Sequence, residues 1–222
     1  MYFQIEDWFP VILSLRVAIL VVIMVAALGL PLSRFMARHD FYGKDVLEAF
    51  ITLPLVLPPS VIGYGLLVLI GKNGVIGKYL DTLGINLIFT WYAIIMAAAV
   101  VAFPLFYQTA KAAFNSVDPN YEKAARTLGA NELRVFFTIT LPLAWPGVTA
   151  GLVLAFARAL GEFGATLMVA GNIPGQTQTI PVAIYYAVDR GDDVTARTLV
   201  LIITLFSFAV IWGVNRWRKN IE

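Results

Sequence analysis

The chain has 222 residues, of which 59% are apolar and only 14% are charged, whereas a soluble domain carries about 25% charged residues. A soluble protein of this composition would expose large apolar patches, so we expect many of the apolar side chains to face lipid. The chain has no cysteine and one histidine, His39. This excludes a disulfide scaffold and a cysteine-ligated metal, and it argues against a histidine-based metal site.

Five stretches are long and apolar enough to cross a bilayer, which takes about 20 residues per helix. These stretches lie at 9–32, 46–70, 85–107, 143–170 and 197–217. They predict an all-α integral membrane protein with one domain over residues 8–217. Pro54, Pro58 and Pro59 interrupt the second stretch, where they either make a packing kink or create a deformable, pore-lining helix. The fourth stretch can break near Gly161 or Gly164.

The distribution of Lys and Arg predicts how the chain is oriented, because short positive loops stay in the cytoplasm. With five spans, ten cationic residues fall on one side: Arg34, Arg38, Lys44, Lys111, Lys123, Arg126, Arg134, Arg216, Arg218 and Lys219. The other side holds Lys72, Lys78 and Arg190 beside six acids: Glu6, Asp7, Asp81, Asp189, Asp192 and Asp193. We therefore expect the N-terminus outside and the C-terminus in the cytoplasm.

Residues 115–142 form the longest predicted cytoplasmic segment, and they are typical of two short helices. Asp118 and Asn131 are suited to cap a helix, and Gly129 is suited to end the first one. Ala124 and Gly129 belong to a flat side of small residues, which lets another surface approach the backbone closely. The segment is either a docking helix for a partner or an amphipathic connector on the membrane surface.

The same segment resembles the cytoplasmic loop of ABC importer permeases, whose signature is Glu-Ala-Ala, three residues, Gly, nine residues and Ile-x-Leu-Pro. Ala124-Ala125, Gly129 and Ile139-Thr140-Leu141-Pro142 have this spacing. Lys123 stands at the position of the motif's Glu, and Glu122 precedes it, a shift of about 100° around a helix. Which of the two makes the motif's contact stays open. The resemblance implies a set of residues that contact an ATPase: Glu122, Lys123, Ala124, Ala125, Arg126, Leu128, Gly129 and Ala130.

The likeness extends over nearly the whole chain. Residues 53–64, 156–165 and 171–185 support a likeness to molybdate permeases. The last two of these, with residues 124–142, resemble molybdate permeases more than amino-acid or sugar permeases, and tungstate, sulfate and thiosulfate permeases are related alternatives. This implies the type I permease fold and import of an oxyanion across the cytoplasmic membrane by alternating access. It also implies a homodimer, two cytoplasmic ATPase subunits and a periplasmic or extracellular oxyanion-binding protein, with no nucleic acid involved.

The resemblance further implies that the chain is not an enzyme and needs no cofactor, because ATP and Mg²⁺ belong to the partner ATPase. In agreement, the sequence contains no Gly-x-x-x-x-Gly-Lys-Ser/Thr phosphate loop. A secondary transporter or channel subunit would also explain the spans, but it would not need the loop signature.

Ionisable and hydroxyl side chains within the spans are candidates for the translocation pathway. The candidates for pathway contacts are Ser60, Tyr64, Arg158, Glu162 and Thr166. The alternative for the charged members is a structural ion pair, either Arg158–Glu162 or Arg16–Glu162. The outer loop from Asn172 to Asp193 is either a docking surface for the binding protein or an ordinary ordered loop.

Overall fold

A computed structural model of the protein describes residues 8–218, and these residues form helices joined by loops, with no strand among them. Glu6, Asp7 and Lys219, three of the charges that predict the orientation, lie outside the described residues. A 3-10 turn (53–55) follows α2, and a π-helical turn (136–140) follows α7. The helices are α1 Phe9–Arg38, α2 Lys44–Thr52, α3 Pro59–Ile70, α4 Val75–Thr82, α5 Trp91–Ser116, α6 Pro119–Thr127, α7 Glu132–Val135, α8 Leu141–Leu160, α9 Gly164–Ala170, α10 Ile180–Asp189 and α11 Asp193–Arg218.

Helices α1, α5 and α8 pack against one another and form the centre of the bundle. The buried face of α5 is rich in alanine, and this brings its backbone close to its neighbours, as is usual in membrane bundles. Val17, Val21 and Val25 of α1 are buried against it at helical spacing. Small residues on one helix and branched ones on the other therefore build the core.

Four helical stretches are long and apolar enough to cross a membrane: Phe9–Arg38, Trp91–Ser116, Glu132–Leu160 and Asp193–Val214. The pair Lys44–Leu55 and Pro59–Ile70 is a fifth candidate, bent by 112° at its break. The predicted fold class, an all-helical membrane protein with up to five spans, is confirmed.

The boundaries of the second, third and fourth spans differ from the predicted ones, because proline or irregular backbone intervenes. The span predicted at 46–70 is broken, as its prolines indicate, because Pro58 adopts an extended backbone (ψ 138°) between α2 and α3. The third span starts at Trp91 rather than at 85, since Phe89 has a φ of 61° and donates its N–H to the Val169 carbonyl at 3.0 Å. The fourth begins before 143 and ends at Leu160, so that α9 is separate.

The breaks of the second and fourth spans lie side by side, because α3 packs on α9. A Cβ added to Gly63 would come within 2.9 Å of the Ala165 Cα, and one on Gly164 within 3.0 Å of the Pro59 Cβ. Glycine at both positions therefore permits this close approach. The interrupted backbone of one span is thus held against the interrupted backbone of the other.

Candidate coupling loop and translocation pathway

Helix α6 starts and ends on the residues that the sequence predicts for this purpose. The Asp118 carboxylate accepts the Asn120 N–H at 2.9 Å, and Pro119 occupies the first turn. Gly129 ends the helix with a φ of +85°, a conformation that favours glycine. The Asn131 side chain then accepts the Arg134 N–H at 2.8 Å and starts α7. These predicted caps are confirmed.

Glu122 of α6 points into the protein and is only 3% exposed. Its Oε1 lies 3.0 Å from Nη2 of Arg34 and 3.0 Å from Nη2 of Arg38, both near the end of α1. The Thr140 hydroxyl donates to the same oxygen at 2.8 Å. Arg38 also donates to the Val117 carbonyl at 2.9 Å. We call Glu122, Arg34, Arg38 and Thr140 the Glu122 clamp; it fastens α6 to α1 and to the turn before α8.

The electrostatic surroundings keep Glu122 ionised despite its burial. Burial raises the pKa of this carboxyl, but the Thr140 hydrogen bond and the Arg34 and Arg38 guanidiniums outweigh it and hold the pKa below its ordinary value of 4.5. At neutral pH the clamp therefore contains a fixed negative charge between two cations.

The opposite side of α6 is exposed. Leu128 is 89% exposed at its end, and Tyr121 and Leu133 are exposed beside it. Of the predicted coupling residues, only Glu122 is buried, and Ala125 and Ala130 are half-buried. The other five are exposed: Lys123, Ala124, Arg126, Leu128 and Gly129. The loop thus offers a small-residue surface with exposed apolar side chains at its end.

A bidentate ion pair ties α6 to α7. Arg126 donates from Nε to Oε1 of Glu132 at 2.6 Å and from Nη2 to Oε2 at 3.0 Å. Its Nη2 also lies 3.6 Å from Oε2 of Glu122. Arg126 therefore joins the exposed side of the loop to the clamp, and the two short helices are held together.

Sequence reasoning did not identify Arg34, Arg38 or Thr140 as functional residues. The sequence presents the two arginines only as charges on the predicted cytoplasmic side, and no local pattern links them to a glutamate 84 residues or more away. Thr140 is the variable position of the Ile-x-Leu-Pro motif. An uncompensated pair of arginines one helical turn apart is the only signal in the sequence that could have suggested a buried acidic partner.

The structure brings together only some of the predicted pathway residues. Arg158 and Glu162 form an ion pair with Nη1–Oε2 at 2.8 Å, and Glu162 Oε1 accepts the Ala165 N–H at 2.8 Å, so this acid joins α8 to α9. Thr166 is fully buried on α9, whereas Ser60 and Tyr64 are exposed on α3.

The alternative pair Arg16–Glu162 does not form. The Arg16 guanidinium instead lies over the Trp91 ring, 4.3 Å from its centroid. This contact forms because Trp91, the first residue of α5, lies beside α1 at the level of Arg16.

Within residues 8–218, no group of three or more His, Asp or Glu side chains is placed to hold a metal ion.

Comparison with known proteins shows the family of the chain. Residues 29–222 match the family described as "Binding-protein-dependent transport system inner membrane component". The chain is 45% identical over 219 residues to the molybdenum transport system permease protein ModB of Escherichia coli K12, covering 97% of this chain and 95% of that relative. It is 46% identical over 215 residues to ModB of Haemophilus influenzae, covering 94% of each chain.

Solved structures share the fold at low sequence identity. A chain of the MetNI methionine ABC transporter superposes with a TM-score of 0.73 at 14% identity, covering 96% of this chain and 94% of that one. A chain of a bacterial alginate ABC transporter, in complex with an alginate-bound periplasmic protein, gives 0.75 at 16% identity, covering 99% and 81%. The protein therefore has the type I ABC importer permease fold and belongs to the family of binding-protein-dependent transport system inner membrane components.

Proposed function

We propose that this chain is the permease subunit of an ATP-driven importer that moves molybdate across the cytoplasmic membrane by alternating access. The observation that carries the proposal is the 45% identity to a molybdenum permease over 97% of the chain. Tungstate, sulfate and thiosulfate are the related tetrahedral oxyanions that the same architecture could accept. A partner chain binds ATP and Mg²⁺ and hydrolyses the nucleotide, and this chain has no cofactor.

The exposed side of α6 is the proposed contact with the ATPase. Lys123, Ala124, Leu128 and Gly129 are available on that side, and Leu128 offers an apolar anchor. Glu122 faces away from it, so in this proposal Glu122 positions the loop and Lys123 takes the outward place of the motif. Such a division of roles accounts for the shift of the acid by one residue.

The proposed assembly contains two copies of this chain, two ATPase subunits and an external oxyanion-binding protein, in a cytoplasmic membrane with the N-terminus outside. The family description, with its binding-protein dependence, supports the external partner. The loop from Asn172 to Asp193 is the proposed docking surface for that protein. Exposed apolar side chains on α2, α3 and α11 are available for lipid and for the second copy.

The Glu122 clamp suggests how motion of the ATPases would reach the membrane. Closure of the ATPases displaces α6, and the clamp passes the displacement to α1 and, through Thr140, to α8. At the far end of α8, Glu162 connects to α9, which lies on the broken second span. A rigid-body movement of the loop would therefore shift the two breaks, where Ser60, Tyr64, Arg158 and Thr166 are the proposed pathway residues.

The test is uptake of labelled molybdate into vesicles that contain the permease, its ATPase and its binding protein. We expect ATP-dependent uptake that unlabelled molybdate suppresses at a lower concentration than sulfate does. Stronger suppression by sulfate would assign the importer to sulfate. Uptake that continues without ATP would indicate a secondary transporter and contradict the proposal.

A further inference from the structure

A cavity of about 1090 Å³ opens between the end of α1 and the turn that leads into α8. One part of its wall is apolar and is built by Ala27 and Leu30 of α1 together with Phe136, Phe137 and Leu141. Phe137 is 61% exposed and Ala27 is also exposed. The apolar wall is thus open at the surface of the chain.

The other part of the wall is charged. Arg34, Arg38 and Arg126 line it together with Glu122 and Glu132, so three cations face two carboxylates and one positive charge is left over. Nη1 of Arg34 and Nε of Arg38 are buried and have no hydrogen-bond partner among the described residues. These two donors are enclosed by the protein, but the side chains of Arg34 and Arg38 are each 17% exposed, so part of each guanidinium and the unbalanced positive charge are open to the cavity.

The charged wall lies at the level of lipid headgroups. Between Arg16 and Arg34, α1 contains no charged residue, and these 18 residue steps span about 27 Å along a helix. The hydrocarbon core of a bilayer is about 30 Å thick. With Arg16 and its Trp91 partner at one border, Arg34 is at the opposite border, and Leu30 and Ala27 are within the hydrocarbon.

We propose that the cavity binds one anionic phospholipid, whose phosphate accepts hydrogen bonds from Arg34 and Arg38 and whose acyl chain lies along Leu30, Phe136 and Phe137. The guanidinium fork suits a phosphate because it can donate two parallel hydrogen bonds. Basic pockets beside apolar helices at this depth bind anionic headgroups. The bound lipid acts on the clamp, because its phosphate balances the positive charge that Glu122 and Glu132 leave over on the three arginines. This inference does not depend on which ion is transported.

The test measures lipid retained by the full-length chain, purified in detergent and supplied with phosphatidylglycerol or phosphatidylcholine, by native mass spectrometry. We expect one phosphatidylglycerol per chain and about tenfold weaker retention of phosphatidylcholine. The reason is that the choline group neutralises the phosphate of phosphatidylcholine, whereas the phosphate of phosphatidylglycerol keeps its negative charge for the arginines. Arg34→Gln is expected to weaken retention of phosphatidylglycerol by a similar factor. Arg134→Gln, on the exposed side of α7, is the matched control and is expected to retain it.

A second variant keeps the test independent of the clamp. Ala27→Trp fills the apolar wall without touching a charge and is expected to exclude the lipid, whereas Leu28→Trp, one position along on α1 and outside the cavity, is not. Equal retention of the two lipids, or equal loss in the control variants, would overturn the proposal. So would displacement of the lipid signal by inorganic phosphate alone, which indicates a free-anion site. Cross-linking of two Ala27→Cys chains would place the second copy in the cavity and overturn it as well.

Discussion

At the scale of single residues, the position of Glu122 separates two roles that the loop signature combines. A motif acid that faced the ATPase would be exposed, but this carboxylate is 3% exposed and bound by two arginines and a threonine. Its neighbour Lys123 is exposed. The one-residue shift from the family pattern thus coincides with an acid that holds the loop in place from inside.

Replacing Glu122 with Gln is expected to lower the free energy of unfolding by about 3 kcal/mol, because Arg34 and Arg38 would remain partly buried without their counter-charge. Unfolding of the purified chain in a denaturing detergent series measures this. Glu132→Gln is the control: that acid is exposed, so little change is expected. Equal losses in the two variants would contradict the clamp.

The same clamp predicts a dependence on pH with a definite sign. Because the pKa of Glu122 is lowered in the folded protein, its stabilising contribution is complete above its ordinary value of 4.5 and is lost as the pH falls through the lowered pKa. Stability should therefore be flat between pH 7 and pH 5 for this group. Glu122→Gln should remove the acid-side loss, and unchanged acid sensitivity in the variant would argue against Glu122 as its source.

Arg158 and Arg16 are expected to differ in their effect on transport. Arg158 neutralises the almost fully buried Glu162, which also holds the first turn of α9. Arg16 is exposed and lies on Trp91. Arg158→Gln should therefore reduce vesicle uptake more than Arg16→Gln does, at equal protein in the membrane. Equal effects would indicate that both arginines serve one structural network.

At the scale of helices, hydropathy predicts which segments cross the membrane, and local chemistry predicts both ends of α6 and the start of α7. Pro54, Pro58 and Pro59 likewise indicate where the second span is interrupted, and Gly161 or Gly164 indicates where the fourth is. The 112° bend and the contact between the two breaks are not predictable in this way. They depend on packing of Gly63 against α9, about a hundred residues later in the sequence, and no local pattern encodes that contact.

The turn after α6 gives a matched test of the coupling surface. Gly129 and Gly84 both have a positive φ, +85° and +71°, and both have open space around a Cβ. Asp at either position therefore carries a similar backbone strain of about 1 kcal/mol. We expect Gly129→Asp to reduce ATP-driven uptake to background, because it puts a charged side chain on the proposed docking side, while Gly84→Asp retains uptake. Full uptake by Gly129→Asp would contradict ATPase docking at this turn.

At the scale of the whole molecule, composition suffices to predict a membrane-embedded helical bundle. The position of the coupling loop could be predicted from the sequence, but the Glu122 clamp could not, because the partners of Glu122 come from α1 and from the turn before α8. Such contacts arise because α1, α5 and α8 pack together, which brings residues that are far apart in the sequence into contact.

The proposed orientation can be measured because the chain has no cysteine of its own. Tyr42, between α1 and α2, and Tyr79, on α4, are both strongly exposed. With the N-terminus outside, Tyr79→Cys should react with a membrane-impermeant maleimide on intact cells. Tyr42→Cys should react only after permeabilisation. The reverse pattern would invert the topology.

The separation of the clamp along the chain also matters during synthesis. Arg34 and Arg38 leave the ribosome 84 residues or more before Glu122, a delay of roughly 4 to 17 s at ordinary elongation rates. During that interval α1 can enter the bilayer, but its two guanidiniums lack their acidic partner. A nascent chain stopped before α6 would therefore hold Arg34 and Arg38 without the Glu122 carboxylate, and the link from α1 through α6 to the turn before α8 can form only after Thr140 has been made.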